Sequence, residues 1–474
     1  MPSSAKTIKL SEALFFAGVS LVVTLLHGDK FFFWDTISQI SIPANYYYDN
    51  DFRYFFIPDA DATGHPTFVA MYVALLWKIF GRTLLVAHLS MAPFIFGILY
   101  HLLRFIRRSD AKGLIIWAVF VGVIIDPTLV SQASLVTFDI VQLFFFLWCI
   151  NSLLDRRPVT LSIAFALLCL TSLRGMISGA GIILYTVTDE FLGTKKISFR
   201  SLTGFIPGIL LSVLFLALFY LNKHWVIHNT VSGKWIVFSQ FASPAEVIRN
   251  IGIFGWRLID FGRIGIWIVF AVILISLFRK KNDLDQFMKT TLILAATQFV
   301  VFLPFCIFYR NPFGHRYLLP VIIPVAVFTL LWILKNSKRS WLIYSALLIV
   351  LFSGWFWAYP VKTATGWDAT PAHWPYYKLR NEMVTYIRNN EIPFEKIGSF
   401  FPNTEPLGIT DISADKSVFT DDENLEKDYI LFSNVYNQND QVIDSLFSSG
   451  TWENEFHLSK GRVRMTLFKR KSTE

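Results

Sequence analysis

Six aspartates and no glutamate fall between residues 29 and 65: Asp29, Asp35, Asp49, Asp51, Asp59 and Asp61. Asp35 stands directly after Phe31-Phe32-Phe33-Trp34, an aromatic run suited to a lipid–water boundary. A carboxylate at that depth is costly and reads as functional by default, although aspartate also caps helices there. The stretch Pro58-Asp59-Ala60-Asp61-Ala62-Thr63-Gly64-His65-Pro66 closes the segment. Asp59, Asp61 and His65 are ligand types that could hold a divalent metal ion, the one cofactor these residues suggest. The plainer alternative is a glycine-containing turn into a proline-started helix. Asp139 opens a later apolar run, where a carboxylate either satisfies free N–H groups or faces Asp35 across a cavity.

The matching cations are arginines in tight turns between apolar runs. One is Arg174 in Thr171-Ser172-Leu173-Arg174-Gly175; Arg310 and Arg316 lie in Tyr309-Arg310-Asn311-Pro312-Phe313-Gly314-His315-Arg316-Tyr317. The planar guanidinium fits phosphate oxygens bidentately, so these residues read as a phosphate clamp. Snorkelling to lipid headgroups accounts for others, notably Lys78, Arg249 and Arg257.

What must position these residues is a membrane bundle. The 474-residue chain is 54% hydrophobic and only 16% charged, with mean hydropathy +0.48, which excludes an ordinary water-soluble enzyme. Its net charge of +9 divides into +13 over residues 1–359 and −4 over 360–474. Positive charge confined to the apolar part reports membrane orientation and excludes nucleic acid as a partner.

Apolar runs predict about 11 transmembrane helices, near 11–28, 83–103, 113–131, 137–154, 158–173, 177–192, 201–221, 251–278, 290–308, 317–334 and 341–359. Alternate loops are basic. Lys6 and Lys9, Arg104 to Lys112, Arg156 and Arg157, Lys195 to Arg200, Arg279 to Lys289, and Lys335 to Arg339 hold 18 of the 30 basic residues before Pro360. That face is cytoplasmic by the positive-inside rule, which puts the N-terminus inside, with the first span uncleaved, and the C-terminal segment outside. Pro66–Phe80 is too short to span and reads as an interfacial helix (66–80) within the outer loop 29–82.

After Pro360 the pattern changes to a small extracytoplasmic α/β domain, 360–474, appended to a transmembrane domain, 1–359. Helices are predicted at 376–390 and 440–447, and strands at 396–400, 429–433, 452–458 and 462–469. Cys149, Cys169 and Cys306 lie in apolar runs without disulfide or metal-site spacing.

In order, these residues resemble the type C integral-membrane glycosyltransferases, close to the bacterial relatives of protein O-mannosyltransferases and of the aminoarabinose transferases. The matching elements are Trp34-Asp35-Thr36, Gly64-His65-Pro66, Trp77-Lys78-Ile79-Phe80-Gly81, Asp139, Leu173-Arg174-Gly175 and Arg316-Tyr317-Leu318-Leu319-Pro320, over essentially the whole chain. The resemblance implies the type C glycosyltransferase fold in the cytoplasmic membrane of a bacterium. It also implies transfer, usually inverting, of a sugar from a polyprenyl-phosphate-linked donor to a glycan, lipid or protein acceptor outside. By the same resemblance Asp35 is the general base, Asp139 assists positioning, and Arg174 and Arg316 hold the phosphate. His65 lines the site, with Asp59, Asp61, Arg310, His315 and Tyr317 as further substrate-binding candidates. Asp35 is followed by Thr36 where O-mannosyltransferase relatives carry Glu, and His65-Pro66-Thr67 stands where aminoarabinose transferases carry Lys-Pro-Pro. The resemblance therefore extends to the reaction class and not to a named substrate. A transporter or flippase of lipid-linked sugars is the alternative; it calls for paired repeats and mid-membrane ionisable groups, and the sequence has no repeat.

Overall fold

The computed structural model describes residues 7–226, 240–280, 284–310 and 313–471; Lys6, Lys234, Lys281, Asn311 and Pro312 lie outside them. Each expected span falls on helix. Four helices are long and apolar enough to cross a membrane: Leu84–Ile106, Phe199–Lys223, Gln286–Ile307 and His315–Asn336. Two bent pairs raise the number to six, and Leu10–Leu26, Phe68–Phe80, Phe138–Leu154, Pro158–Thr171 and Ser340–Phe356 are shorter apolar helices. The chain is thus a multi-pass membrane protein, and length and composition alone do not give the count of eleven.

Both bent pairs correct a straight span. Gly113–Ile124 and Pro127–Ala133 meet at 69°, and Pro244–Ile259 and Ile264–Arg279 meet at 97°. Pro127 lacks the N–H that would continue the first helix, and Asp126 caps the second through Thr128 and Leu129 N–H, both 3.0 Å. At the sharper bend Phe261 and Gly262 take left-handed backbone, φ 51° and 79°. A Cβ on Gly262 would lie 2.1 Å from Val350 O, so only glycine turns there. One ion pair joins the two bends: buried Arg263 is bidentate to Asp126, both contacts 2.7 Å.

Ion pairs tie several of the basic loops to neighbouring helix ends. Arg107 pairs with Glu12, Arg104 and Arg108 share Asp155, and Lys335 reaches Asp285 at 2.8 Å. The helix expected from Pro66 runs Phe68–Phe80, two residues later, burying Val69, Val73 and Trp77 and exposing Ile79 and Phe80.

The C-terminal segment forms a five-stranded sheet of order β2-β1-β3-β5-β4, with β1 Ile397–Ser399, β2 Thr420–Asp421, β3 Tyr429–Ser433, β4 Trp452–Lys460 and β5 Val463–Arg470. Helices Pro375–Asn389 and Asp440–Ser448 match expectation; β2, two residues long, was too short to signal itself. Its apolar core takes in Phe31, Phe33 and Leu135, while Phe32 packs into the bundle's core. The aromatic run therefore alternates between two cores, as extended backbone dictates, rather than lying in lipid. Phe33 stacks on His373 at 4.7 Å, with planes 6° apart.

Candidate functional site

Four segments distant in sequence converge on one guanidinium. Arg316 sits in the turn His315–Leu318 that starts helix Leu319–Asn336, and its side chain is 4% exposed. Nη2 pairs with Asp35 Oδ2, Nε with Asp139 Oδ2 at 3.0 Å, and Nη1 with Asp368 Oδ2. Every nitrogen of Arg316 is thus spent on a different carboxylate.

Asp35 is the carboxylate that solvent reaches, at 26% side-chain exposure against 2% for Asp139 and 6% for Asp368. It lies in a tight turn closed by Thr36, whose Oγ1 accepts from Phe33 N–H (2.9 Å) and donates to Phe33 O (2.7 Å). Trp34 pays for this turn with a left-handed φ of 58°, a strain found where surroundings impose it at functional sites. A single π-helical stretch, Ile37–Ser41, follows, and from it Gln39 Nε2 donates to Asp35 Oδ2 at 3.3 Å. Oδ2 is therefore held twice, and Oδ1 has no partner among the described residues. Asp35 is not a helix cap.

Nor is Asp139. Thr137 caps helix Phe138–Leu154, its Oγ1 accepting from Asp139 N–H at 3.2 Å, which frees the carboxylate for Arg316 and for Arg174 Nη1 at 2.9 Å. Arg174 opens helix Leu173–Thr194. Ser172 caps that helix from Gly175 N–H (3.0 Å) and donates to Gln142 Oε1 (2.8 Å), tying the two helix starts together. A Cβ on Gly175 would fall 2.1 Å from Leu168 O, so glycine is what lets the helices close here. The Arg174 guanidinium lies over Tyr317 at 3.7 Å and over Phe138 at 4.5 Å. Its Nε, Nη1 and Nη2 are buried, yet among the described residues none has a well-directed hydrogen bond. Buried donors in that state are costly and mark a place for an acceptor.

Beside Arg174, the half-buried His65 accepts from Leu173 N–H through Nδ1 at 3.4 Å and sets its ring edge-on to Phe138. Burial, with the charges of Arg174 and Arg316, holds this imidazole well below its ordinary pKa, so it is neutral. Tyr317 also belongs to the cluster, through its ring against both guanidiniums.

Other expected site residues lie elsewhere. Asp59 pairs with Lys223 at 2.7 Å, putting an ammonium where a metal ion would sit, and no group of three His, Cys, Asp or Glu that could hold a metal forms among the described residues. Asp59, Asp61 and His65 do not fit a divalent cation. Asp61 ends the short turn Asp59–Asp61. Arg310 is engaged by Glu246 (3.2 Å) and Gln240 (2.8 Å). His315 points away from Arg316's carboxylates and meets Asp260 at 2.8 Å, with Arg257 Nη1 3.4 Å from the same ring. Two headgroup expectations change as well: Arg257 turns inward to this buried pair, and Lys78 is taken by Asp51 at 2.5 Å.

Asp368 was not foreseen. It belongs to the C-terminal segment, in the turn Trp367–Ala369, and repeats the Trp-Asp dipeptide of Trp34-Asp35, the one signal that could have found it. Burial pushes its carboxyl up to about 6, with Arg316 opposing and Asp35 and Asp139 reinforcing the shift.

No protein-family model and no curated protein matches this sequence. Among solved structures the chain resembles ArnT from Cupriavidus metallidurans bound to undecaprenyl phosphate, at 13% identity and a TM-score of 0.51, covering 97% of this chain and 98% of that one. The apo form of the same protein aligns at 12% identity and a TM-score of 0.50, covering 96% and 98%. End to end, bundle and C-terminal sheet together, this chain shares the fold of ArnT.

Proposed function

We propose that the chain is a membrane glycosyltransferase that moves a sugar from a polyprenyl-phosphate carrier to an acceptor on the extracytoplasmic face. One observation carries the reading: a carboxylate with one oxygen pinned and the other without a partner among the described residues stands in the same cluster as a buried guanidinium whose Nε and Nη2 have no acceptor among them. That arrangement is what displacement at an anomeric carbon requires. Asp35 Oδ1 takes the proton of the acceptor hydroxyl as its oxygen bonds to the sugar carbon. The bond from that carbon to the phosphate oxygen breaks, and its electron pair leaves with the polyprenyl phosphate. Arg174 balances the charge that develops there, in a setting poor in water. Attack opposite the departing phosphate inverts the anomeric carbon.

The geometry favours a division of labour between the arginines. Arg316 is committed to three carboxylates and Arg174 only to Asp139, so Arg174 holds the phosphate and Arg316 organises the base. Neutral His65 lines the phosphate side without adding charge. ArnT's complex with undecaprenyl phosphate supports a carrier of this class. The 11-span topology, with N-terminus cytoplasmic and residues 360–474 outside, rests on the alternation of basic loops along the sequence. It puts Asp35, Arg174 and Arg316 on the face opposite those loops.

The test is transfer of label from a panel of radiolabelled polyprenyl-phosphate sugars by the purified protein, with Asp35→Asn beside wild type. Loss of a general base lowers kcat by about 10²–10⁴-fold. Wild-type turnover in Asp35→Asn removes the proposed base, and flux of lipid-linked sugar across vesicles without bond formation establishes a flippase instead.

A further inference from the structure

Asp368 reaches Arg316 from a segment that is docked without the help of its carboxylate. Ser131 Oγ and Gln132 Nε2 donate to the backbone oxygen of Asp368 at 2.7 and 2.8 Å, and Thr128 Oγ1 donates to that of Ala369 at 3.1 Å. All three side chains project from helix Pro127–Ala133, the short arm beyond the 69° bend. Neighbouring Thr370 Oγ1 donates to Gly354 O at 2.9 Å. These bonds fix the backbone, so the buried carboxylate is not a docking group. Its partner is the Arg316 nitrogen left over once Asp35 and Asp139 have taken theirs.

An arginine held by one or two carboxylates keeps freedom to swing about its long side chain; one gripped from three sides does not. The consequence falls on Asp35, whose Oδ2 leans on the Nη2 of that same guanidinium and whose Oδ1 faces outward. We propose that Asp368, supplied by the C-terminal segment, is a positioning residue of the transfer site: it locks Arg316 so that Arg316 aims Asp35 at the acceptor. The proposal rests on the transferase reading for its kinetic consequence and on geometry alone for the three-way link.

Asp368→Asn keeps the shape and the backbone bonds and removes the charge. A loosened base slows the chemical step without touching phosphate binding, so kcat is expected to fall by about 10–100-fold while the donor KM stays within about twofold. Unchanged kcat, or a raised donor KM with unchanged kcat, overturns the proposal. A readout independent of turnover keeps the two claims apart. Thermal shifts of Asp35→Asn, Asp368→Asn and their double variant are measured in detergent, then repeated on an Arg316→Gln background. Residues sharing one partner give non-additive shifts, and the non-additivity is expected to vanish without Arg316. Additive shifts overturn the link even if no donor is ever found. If wild type transfers nothing while the shifts are non-additive, the transferase reading falls and the link stands.

Discussion

The two arginines of the site differ in what surrounds them, and that difference makes them non-interchangeable. Arg174 lies over the Tyr317 ring with Nη1 beside Asp139 and with Nε and Nη2 lacking a hydrogen bond among the described residues, so its planar shape matters as much as its charge. Arg174→Lys is therefore expected to weaken binding of polyprenyl phosphate by about tenfold or more, and Tyr317→Leu by less, both read by titration of the lipid phosphate in detergent. Equal affinity in Arg174→Lys would leave no role for the guanidinium plane. Asp35, Asp139, Arg174 and Arg316 were legible in the sequence because each interrupts or opens an apolar run, where an ionisable side chain needs a reason. Asp368 was not, because it sits in a polar segment where aspartate is ordinary and burial leaves no mark on composition. Asp59 and Arg310 misled for the converse reason: a charged residue near the right boundary looks the same whether its partner is a ligand or a neighbouring lysine or glutamate.

Among the elements, hydropathy found the apolar segments and missed their direction. Spans read as straight at 113–131 and 251–278 are bent, since apolar content carries no angle; Pro127 and Gly262 are the local signals. The bends are held by the Asp126–Arg263 pair, whose side chains are 7% and 1% exposed. Removing one member of a buried pair strands the other, so Arg263→Ala is expected to cost about 3–5 kcal/mol, visible as a lowered unfolding temperature in detergent. Asp126→Asn combined with Arg263→Met should recover part of that loss. Because helix Pro127–Ala133 also docks the turn around Asp368, Arg263→Ala is expected to lower transfer as well as stability. A stable single variant would mean that the angles are set by backbone alone.

Across the whole molecule, the C-terminal segment and the bundle meet along an aromatic seam: Phe31 and Phe33 against Tyr376, Tyr377 and His373. His373 is fully buried, and burial lowers its imidazole to about 4. In the unfolded or undocked chain it titrates near the ordinary value of 6.5, so between these limits the undocked form binds the extra proton. Stability from this residue is complete above about 6.5 and is lost as pH falls toward 4, by roughly 3 kcal/mol at most. Protease accessibility of residues 360–474 is accordingly expected to rise over that interval, and His373→Phe to flatten the rise. An unchanged pH dependence in His373→Phe would assign it to another group.

The order of strands in the sheet adds a consequence for biosynthesis. β5, the last of the five to be translated, lies inside the sheet between β3 and β4. The sheet cannot zip up from its beginning; it closes when its final strand arrives and slots between two earlier ones. Asp35 is among the first residues made, whereas Asp368, the third carboxylate on Arg316, is made only after the apolar helix Ser340–Ser353. A chain caught partway through synthesis, before Asp368 is in place, would hold Arg316 by two carboxylates and leave Asp35 less firmly aimed.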